Sequence, residues 1–328
     1  MSPIARRSTG RRRSAMILAV ADGLSIGYLP YRLPSAGAAE WRRVVRLAED
    51  AGLDHLAMGD HVSFYVGAGS DGLLGVSNVL TLSERLGANT GVYLLPLRHP
   101  VLVARQLADI AQLAPGRLTF GVGIGGEDPH ELEVCGVDPT TRGRRMDECL
   151  QIVRELLGGE PVDHAGEFFH LDEARIVPQP AEPIPIVVGG RSDAAIARAG
   201  RLGDGWFGIW VSAARYGQAI AQMHEAAAAA RRQAPAWRNA LNVWCGVGRD
   251  ADEARRHVAP AMQAFYQIPY ERFERWSPAG TPKHLAELLV PYVEAGCSTF
   301  NLILNGADVV AEVEAAGEIR ELMLDAVA

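Results

Sequence analysis

Short apolar runs alternate with amphipathic stretches along most of the chain. RLTFGVG (117–123) and IPIVVGG (184–190) have the length and continuous apolar character of strands buried on both faces. AAEWRRVVRLAEDAG (38–52) instead has apolar residues three and four positions apart, the spacing of a helix with one buried face. The pattern therefore predicts strands that alternate with helices.

The alternation gives eight strand–helix units without a linker, which in a chain of 328 residues points to an α/β fold, a (β/α)8 TIM barrel. The alternative is an open doubly wound sheet, because GVGIGG (121–126) matches the dinucleotide pattern G-x-G-x-x-G. A turn-rich acidic loop follows it, whereas that pattern needs a helix there. We predict one barrel domain over residues 16–328, with insertions at the C-terminal rim. A hairpin-like excursion is predicted separately in 161–180.

The N-terminus is basic and is treated separately. Five arginines lie in the first fifteen residues, and the apolar run 15–21 that follows them is shorter than a secretory signal usually requires. We expect residues 1–15 to be a disordered extension. Without these arginines, 27 basic residues face 39 acidic ones, a net charge of −12 that argues against a nucleic-acid partner.

Cysteine usage and hydropathy limit the class further. The four cysteines are far apart, which fits neither a disulfide framework nor a zinc site, and a reducing cytoplasm is expected. No apolar stretch approaches the roughly 20 residues of a membrane span. H-E-x-x-H is absent from the sequence and its nine histidines are scattered, so we expect no metal.

Candidate chemistry lies where the predicted strands end, since barrel active sites are built at the carboxyl ends of the strands. The second strand, 55–59, ends on Asp60 and His61 and is followed by a glycine-bearing loop, 63–71. A histidine at this place can transfer a proton near neutral pH. The competing interpretation is that Asp60 caps the next segment and His61 only packs.

Glycines mark other strand ends on the same rim. Gly125 and Gly126 follow the fourth strand, and Gly189 and Gly190 follow the fifth. Ser192 can cap the next helix, whose free N–H groups suit a phosphate. Together these positions favour a planar cofactor with a phosphate tail, although each alone also fits an ordinary turn.

Four ordered stretches resemble the bacterial luciferase-like family of flavin- and deazaflavin-dependent oxidoreductases, and the likeness runs from about Gly23 to the last helix. The resemblance implies a (β/α)8 barrel that uses a reduced flavin-type cofactor on a small organic molecule. The stretches are AEDAGLDHLAMGDHV (48–62), GVYLLPLRHPVLVARQLADIAQLAPGRLTFGVGIGGED (91–128), RGRRMDECLQIVRELLGGEPV (142–162) and PIPIVVGGRSDAAIARAGRLGDGW (183–206).

The resemblance implies roles for particular residues. It implies His61 as a catalytic residue beside the reactive face of the cofactor, with Glu127 as a second candidate acid in the fourth loop. It also implies a cis peptide between Gly91 and Val92. The cofactor-binding positions that it implies are Asp60, Gly91, Val92, Gly125, Gly126, Gly189, Gly190 and Ser192.

Two departures from family patterns bear on the cofactor and the substrate. Sugar-phosphate dehydrogenases of the family carry tryptophan four residues after the histidine, where this chain has Tyr65. GVGIGG lacks the arginine with which bacterial luciferase holds the flavin phosphate, which favours coenzyme F420 over FMN.

Three functions remain open on the sequence. The first is F420-dependent hydride transfer. The second is a two-component FMNH2-dependent monooxygenase, whose FMNH2 comes from a separate flavin reductase. In the first function, a separate F420 reductase would likewise supply the reduced cofactor. The third is a non-catalytic flavin-binding barrel. The expected partners are a small-molecule substrate and a second copy of the chain in a homodimer, with neither nucleic acid nor membrane.

Overall fold

A computed structural model describes residues 23–65 and 67–328, and the predicted extension 1–15 lies outside these residues. Within them, eight parallel strands follow one another around a closed barrel, which confirms the predicted fold class. The barrel strands in chain order are β1 (Ser25–Tyr28), β2 (His55–Met58), β3 (Gly87–Thr90), β4 (Leu118–Gly123), β5 (Ile186–Gly189), β6 (Gly205–Ile209), β7 (Ala240–Val247) and β8 (Thr299–Asn305).

Two parallel pairings close the barrel. Strand β1 pairs with β8, with Ser25 opposite Thr299, and β4 pairs with β5, with Phe120 opposite Ile186. All residues of β2, β5 and β7 are buried, as expected for strands with the barrel interior on one side and helices on the other. The sheet has no open crevice of the doubly wound kind among the described strands, so the glycine pattern at 121–126 is part of β4 and its loop.

Helices cover the outside of the barrel. The helix Gly72–Leu82 begins directly after Asp71, which caps it by accepting from the N–H groups of Leu73 and Leu74. The helices of the described residues are α1 (Ala38–Asp50), α2 (Gly72–Leu82), α3 (Pro100–Leu113), α4 (Pro129–Val134), α5 (Arg142–Leu157), α6 (Asp193–Leu202), α7 (Ala213–Ala229), α8 (Ala251–Tyr266), α9 (Pro282–Glu294) and α10 (Val309–Val327), with 3-10 turns at Leu33–Ser35, Leu95–Leu97, Tyr270–Arg272 and Glu274–Trp276.

Two antiparallel hairpins interrupt the alternation. The rim hairpin follows β2 and pairs His61–Phe64 with Ala68–Ser70, where the sequence had suggested an open loop. The outer hairpin pairs Val162–Ala165 with His170–Ala174 and confirms the predicted excursion. Two further short strands, Tyr93–Leu94 and Ala279–Gly280, extend the barrel sheet beside β4 and β7.

A row of polar side chains crosses the barrel interior, and we call Ser25, His55, Asn301 and Asn242 the axial chain. His55 Nδ1 lies 2.9 Å from the Ser25 hydroxyl, and its Nε2 lies 2.7 Å from Asn301 Oδ1. Asn301 Nδ2 then donates to Asn242 Oδ1 at 3.0 Å. His55, Asn301 and Asn242 are buried, so each of these hydrogen bonds satisfies a group that has no access to water.

The buried imidazole of His55 should make stability depend on pH. Burial lowers the pKa of His55, although hydrogen bonding to Asn301 and the charge of Asp54 oppose the shift. The unfolded chain takes up this proton at about pH 6.5, and the folded chain takes it up only at a lower pH. The contribution to stability is therefore complete above about pH 6.5 and is lost as the pH falls below it, by up to about 1.4 kcal/mol per pH unit.

Urea unfolding at pH 7.5 and pH 5.5 checks this expectation against a His55→Gln variant, which lacks the titrating group. The wild type should lose more unfolding free energy between the two pH values than the variant does. Equal losses would show that His55 contributes nothing to the pH dependence.

The helices, the cysteines and the possible metal ligands bear on the class of protein. None of the helices in the described ranges combines the length and the apolar character needed to cross a lipid bilayer. Cys135, Cys149, Cys245 and Cys297 are all free thiols. Within residues 23–65 and 67–328, no three His, Cys, Asp or Glu side chains come together in a way that could hold a metal ion.

Candidate active site

Asp60 is buried where β2 meets the rim hairpin. Its Oδ1 accepts from the N–H of Gly72 at 3.0 Å, and its Oδ2 accepts from the N–H of Leu94 at 2.8 Å. Arg98 adds a two-armed ion pair at 2.6 and 2.8 Å. Burial raises the pKa of Asp60, and Arg98 with the two N–H donors opposes that shift. Both carboxylate oxygens are therefore engaged by the protein, and Asp60 joins β2, α2 and the segment after β3.

His61 follows Asp60 and pairs with Glu131 from α4. Its Nδ1 lies 3.0 and 3.2 Å from the two carboxylate oxygens of Glu131. Since a carboxylate only accepts, Nδ1 carries a proton and Nε2 is the atom left for exchange with a ligand. The side chain of His61 is 23% exposed, whereas that of Glu131 is 3% exposed. The pair thus combines a shielded acid with an accessible imidazole.

Glu131 also fixes the start of the rim hairpin. Its Oε1 accepts from the N–H groups of Val62 and Ser63 at 2.7 and 3.3 Å. Burial would raise the pKa of Glu131, but the hydrogen bond and charge of His61 and these two N–H donors outweigh it and lower the pKa. Glu131 is consequently ionised at neutral pH and orients the imidazole.

The sequence pointed to a different acid. Glu127 is exposed and forms neither a hydrogen bond nor an ion pair with His61, while its carbonyl accepts from the Tyr65 hydroxyl at 3.1 Å. Asp128 accepts from the N–H of Tyr65 at 2.7 Å, so the loop after β4 is tied to the hairpin tip. Glu131 was missed because it is one of several acids in EDPHELE and the six-residue helix is too short for periodicity to single it out.

Aromatic rings surround His61. Phe64 stacks on the imidazole with centroids 3.9 Å apart, and Phe265 from α8 approaches it edge-on at 5.9 Å. Tyr31 and Trp244 extend this cluster at 6.0 and 5.6 Å from Phe265. The imidazole therefore lies in an apolar environment that excludes water from one side of the rim.

Gly91 and Val92 lie at the barrel mouth, and we call these two residues the floor. The peptide between Gly91 and Val92 is cis, as predicted. A Cβ added to Gly123 would lie 2.5 Å from Val92 Cγ2, and one added to Gly189 would lie 3.1 Å from Val92 Cγ1. Glycine is thus required at these two strand ends because the Val92 side chain packs on them, and the partly exposed Val92 faces the rim.

Gly125 and Gly126 form a left-handed turn after β4. Both have positive φ, and a Cβ added to Gly126 would lie 3.3 Å from Arg142 Nε. Arg142 donates to the carbonyl of Pro139, but its Nε is buried without a hydrogen-bond partner among the described residues. A guanidinium with an unused buried donor beside two glycines is suited to an anion.

Gly190 and Ser192 lie at the start of α6. A Cβ added to Gly190, which has a φ of 132°, would lie 2.6 Å from the Cβ of Ala195. The Ser192 hydroxyl caps the helix by accepting from the N–H of Ala195 at 3.2 Å. Trp206 Nε1 donates to the carbonyl of Gly190 at 2.8 Å, which fixes this turn.

Helices α5 and α6 pack side by side, since Arg198 of α6 donates to the carbonyl of Gly143 at 3.0 Å. Arg142 and Ser192 therefore belong to adjoining parts of the rim. The predicted positions fall into three neighbouring groups: the Asp60–His61 pair after β2, the Gly91–Val92 floor, and the glycine turns after β4 and β5. Glu127 lies at the exposed edge, and the structure adds Glu131 and Arg142.

Comparison with known proteins gives a family. Residues 24–284 match the family described as Luciferase-like monooxygenase. The chain is 31% identical over 176 residues to an F420-dependent glucose-6-phosphate dehydrogenase of Nakamurella multipartita, with 52% of each protein covered. It is 29% identical over 279 residues to the 4-hydroxyprotoasukamycin monooxygenase of Streptomyces nodosus subsp. asukaensis, covering 77% of this chain and 72% of that protein. The chain spans about half the length of most curated relatives that it matches.

Solved structures share the fold. An F420-dependent secondary alcohol dehydrogenase in complex with an F420–acetone adduct superposes with a TM-score of 0.80, covering 92% of this chain and 99% of that one. The two sequences are 21% identical, so the likeness is one of fold.

Proposed function

The chain belongs to the luciferase-like monooxygenase family, and we propose that it is an oxidoreductase that uses coenzyme F420 on a small organic substrate. The observation that carries the proposal is the His61–Glu131 pair, which offers a partly exposed imidazole at the end of β2, on the rim where barrel chemistry is built. His61 Nε2 would give a proton to the substrate or take one from it, while Glu131 keeps the ring oriented. Phe64 and Phe265 exclude water around the ring.

The residues present fit a flavin-type cofactor. The Val92 side chain, which packs on Gly123 and Gly189, offers an apolar surface on which a planar ring could rest. The unpaired Nε of Arg142 and the N-terminus of α6 suit a phosphate. The residues that would hold the cofactor are Val92, Gly125, Gly126, Arg142, Gly190 and Ser192. Asp60, whose oxygens are engaged by Gly72, Leu94 and Arg98, would fix the place of the neighbouring His61. When bound, the cofactor would give the hydride to an oxidised substrate or accept it from a reduced one.

The second candidate is a two-component FMNH2-dependent monooxygenase. Arg142 supports this second candidate, because its guanidinium lies beside the loop after β4. The sequence GVGIGG has no arginine of its own, which had favoured F420. The relative from Streptomyces nodosus, a monooxygenase, also supports it. The homodimer, the cytoplasmic location and a separate reductase stay predictions.

Titration of the purified protein with F420 and with FMN, followed by quenching of their fluorescence, tests the proposal. Saturable quenching by F420 at lower concentration than by FMN is the expected result. Preferential binding of reduced FMN, with oxygen consumed when substrate is added, would establish the second candidate instead. Binding of neither cofactor would contradict both.

We predict that Ser192→Asp weakens cofactor binding about tenfold or more. Aspartate caps a helix as well as serine does, so α6 should stay intact, but its charge would repel a phosphate at the start of that helix. Ser212→Asp is the matched control, because Ser212 caps α7 by accepting from the N–H of Arg215 at the same 3.2 Å. Fluorescence titration of both variants measures the effect, and equal affinities would show that the phosphate binds elsewhere.

A further inference from the structure

The axial chain ends directly beneath the floor of the barrel mouth. Asn242, its last member, donates from Nδ2 to the carbonyl of Gly91 at 2.8 Å. A Cβ added to Gly91 would lie 3.1 Å from Asn301 Nδ2 and 3.3 Å from Asn242 Oδ1. Two side-chain amides thus fill the space below Gly91, and the next residue is the floor residue Val92.

The hydrogen bonds of the axial chain all run in one direction. Asn301 Nδ2 donates to Asn242, so its Oδ1 is the atom that faces His55 and His55 Nε2 must donate to it. The neutral imidazole then accepts at Nδ1 from the Ser25 hydroxyl. Each donor points toward the carbonyl of Gly91, and bonds aligned in this way polarise one another in a medium of low dielectric constant.

We infer that Asn242 is a positioning residue, which holds the Gly91 carbonyl and thereby sets the place of Val92 under the cofactor. Asn242 does not touch the rim, and its effect on binding goes through the backbone of the floor. Loss of its side-chain amide would leave the partly buried Gly91 carbonyl and the buried Asn301 Nδ2 without these partners. The expected effect of Asn242 on cofactor affinity rests on the proposed function. Its role in holding the Gly91 carbonyl does not.

Asn242→Leu tests the inference, because leucine has a similar volume and can make neither hydrogen bond. Asn239→Leu is the matched control, because Asn239 is also a buried asparagine and lies just before β7. It accepts from the Trp206 N–H at 3.2 Å and donates to the Gly296 carbonyl at 3.2 Å, so it has no contact with Gly91. Hydrogen exchange of the peptide that contains residues 87–94 measures the floor, and titration with F420 and FMN measures affinity.

We expect Asn242→Leu to speed exchange in the 87–94 peptide and to weaken cofactor binding by roughly ten- to a hundredfold. Asn239→Leu should do neither beyond any general loss of stability, which circular dichroism and urea unfolding measure in both variants. Unchanged exchange in Asn242→Leu, or the same change in both variants, would overturn the inference. If the wild type binds neither cofactor, the proposed function fails and the exchange result alone decides the role of Asn242.

Discussion

Replacing His61 with alanine is expected to lower turnover by about 10²–10⁴-fold, the range that a positioned proton donor or acceptor contributes. Cofactor affinity should change little, because the groups proposed to hold the cofactor come from the floor and from the turns after β4 and β5. The measurement is the single-turnover rate at the absorbance of bound cofactor, with a substrate found by screening small alcohols, aldehydes and ketones. Unchanged turnover would remove His61 from the mechanism.

Two further variants separate loss of proton transfer from loss of side-chain volume and hydrogen bonding. His61→Gln keeps a donor that can reach the Glu131 carboxylate but has no titrating group, so it should be as slow as His61→Ala. Glu131→Gln keeps an acceptor for the N–H of Val62 but removes the carboxylate charge beside His61 Nδ1. It should lower kcat more than it raises KM, since Glu131 acts on the proton held by His61 and has no contact with substrate in this arrangement.

Replacing Arg98 with methionine is expected to cost about 3–5 kcal/mol of unfolding free energy, because it leaves the buried carboxylate of Asp60 without its countercharge. The Asp60 side chain is fully buried and that of Arg98 is 17% exposed, so water cannot replace the guanidinium easily. Urea unfolding measures the loss. A loss below about 1 kcal/mol would mean that the pair behaves like an exposed one.

A double variant checks the cause. Asp60→Asn combined with Arg98→Met should cost less than the two single changes added together, because the buried charge is then absent. Arg43→Met is the control for removing an arginine from an ion pair, since Arg43 pairs with Glu40 at 2.9 Å with both side chains largely exposed. It should change stability by less than about 1 kcal/mol.

The fold could be predicted from the sequence because strands buried on both faces leave apolar runs that local patterning reveals. His61 could be placed for a related reason, since the end of a barrel strand is both a pattern boundary and the location of the chemistry. Gly123 and Gly189 lie against the side chain of Val92, and the role of Gly189 in holding a cofactor stays a prediction.

The partners of the site residues could not be predicted in the same way. Arg98 is 38 residues from Asp60, and Glu131 is 70 residues from His61. Such pairings depend on which loops the closed barrel brings together, and a charged residue in a loop looks the same in sequence whether it is buried or solvated. Arg142 illustrates the point, because its nearness to Gly126 arises only when the chain returns to the rim at the start of α5.

Each of the two hairpins is held at its backbone by a glutamate from the segment after β4. Glu131 accepts from the start of the rim hairpin, and Glu148 accepts from the N–H groups of Glu167, Phe168 and Phe169 in the outer hairpin. If either hairpin were deleted, its acid would lose the donors that compensate for its burial. Each acid and its hairpin should therefore be inherited or lost together, and a hairpin grafted onto another barrel of this kind should fold there only when its acid is transferred with it.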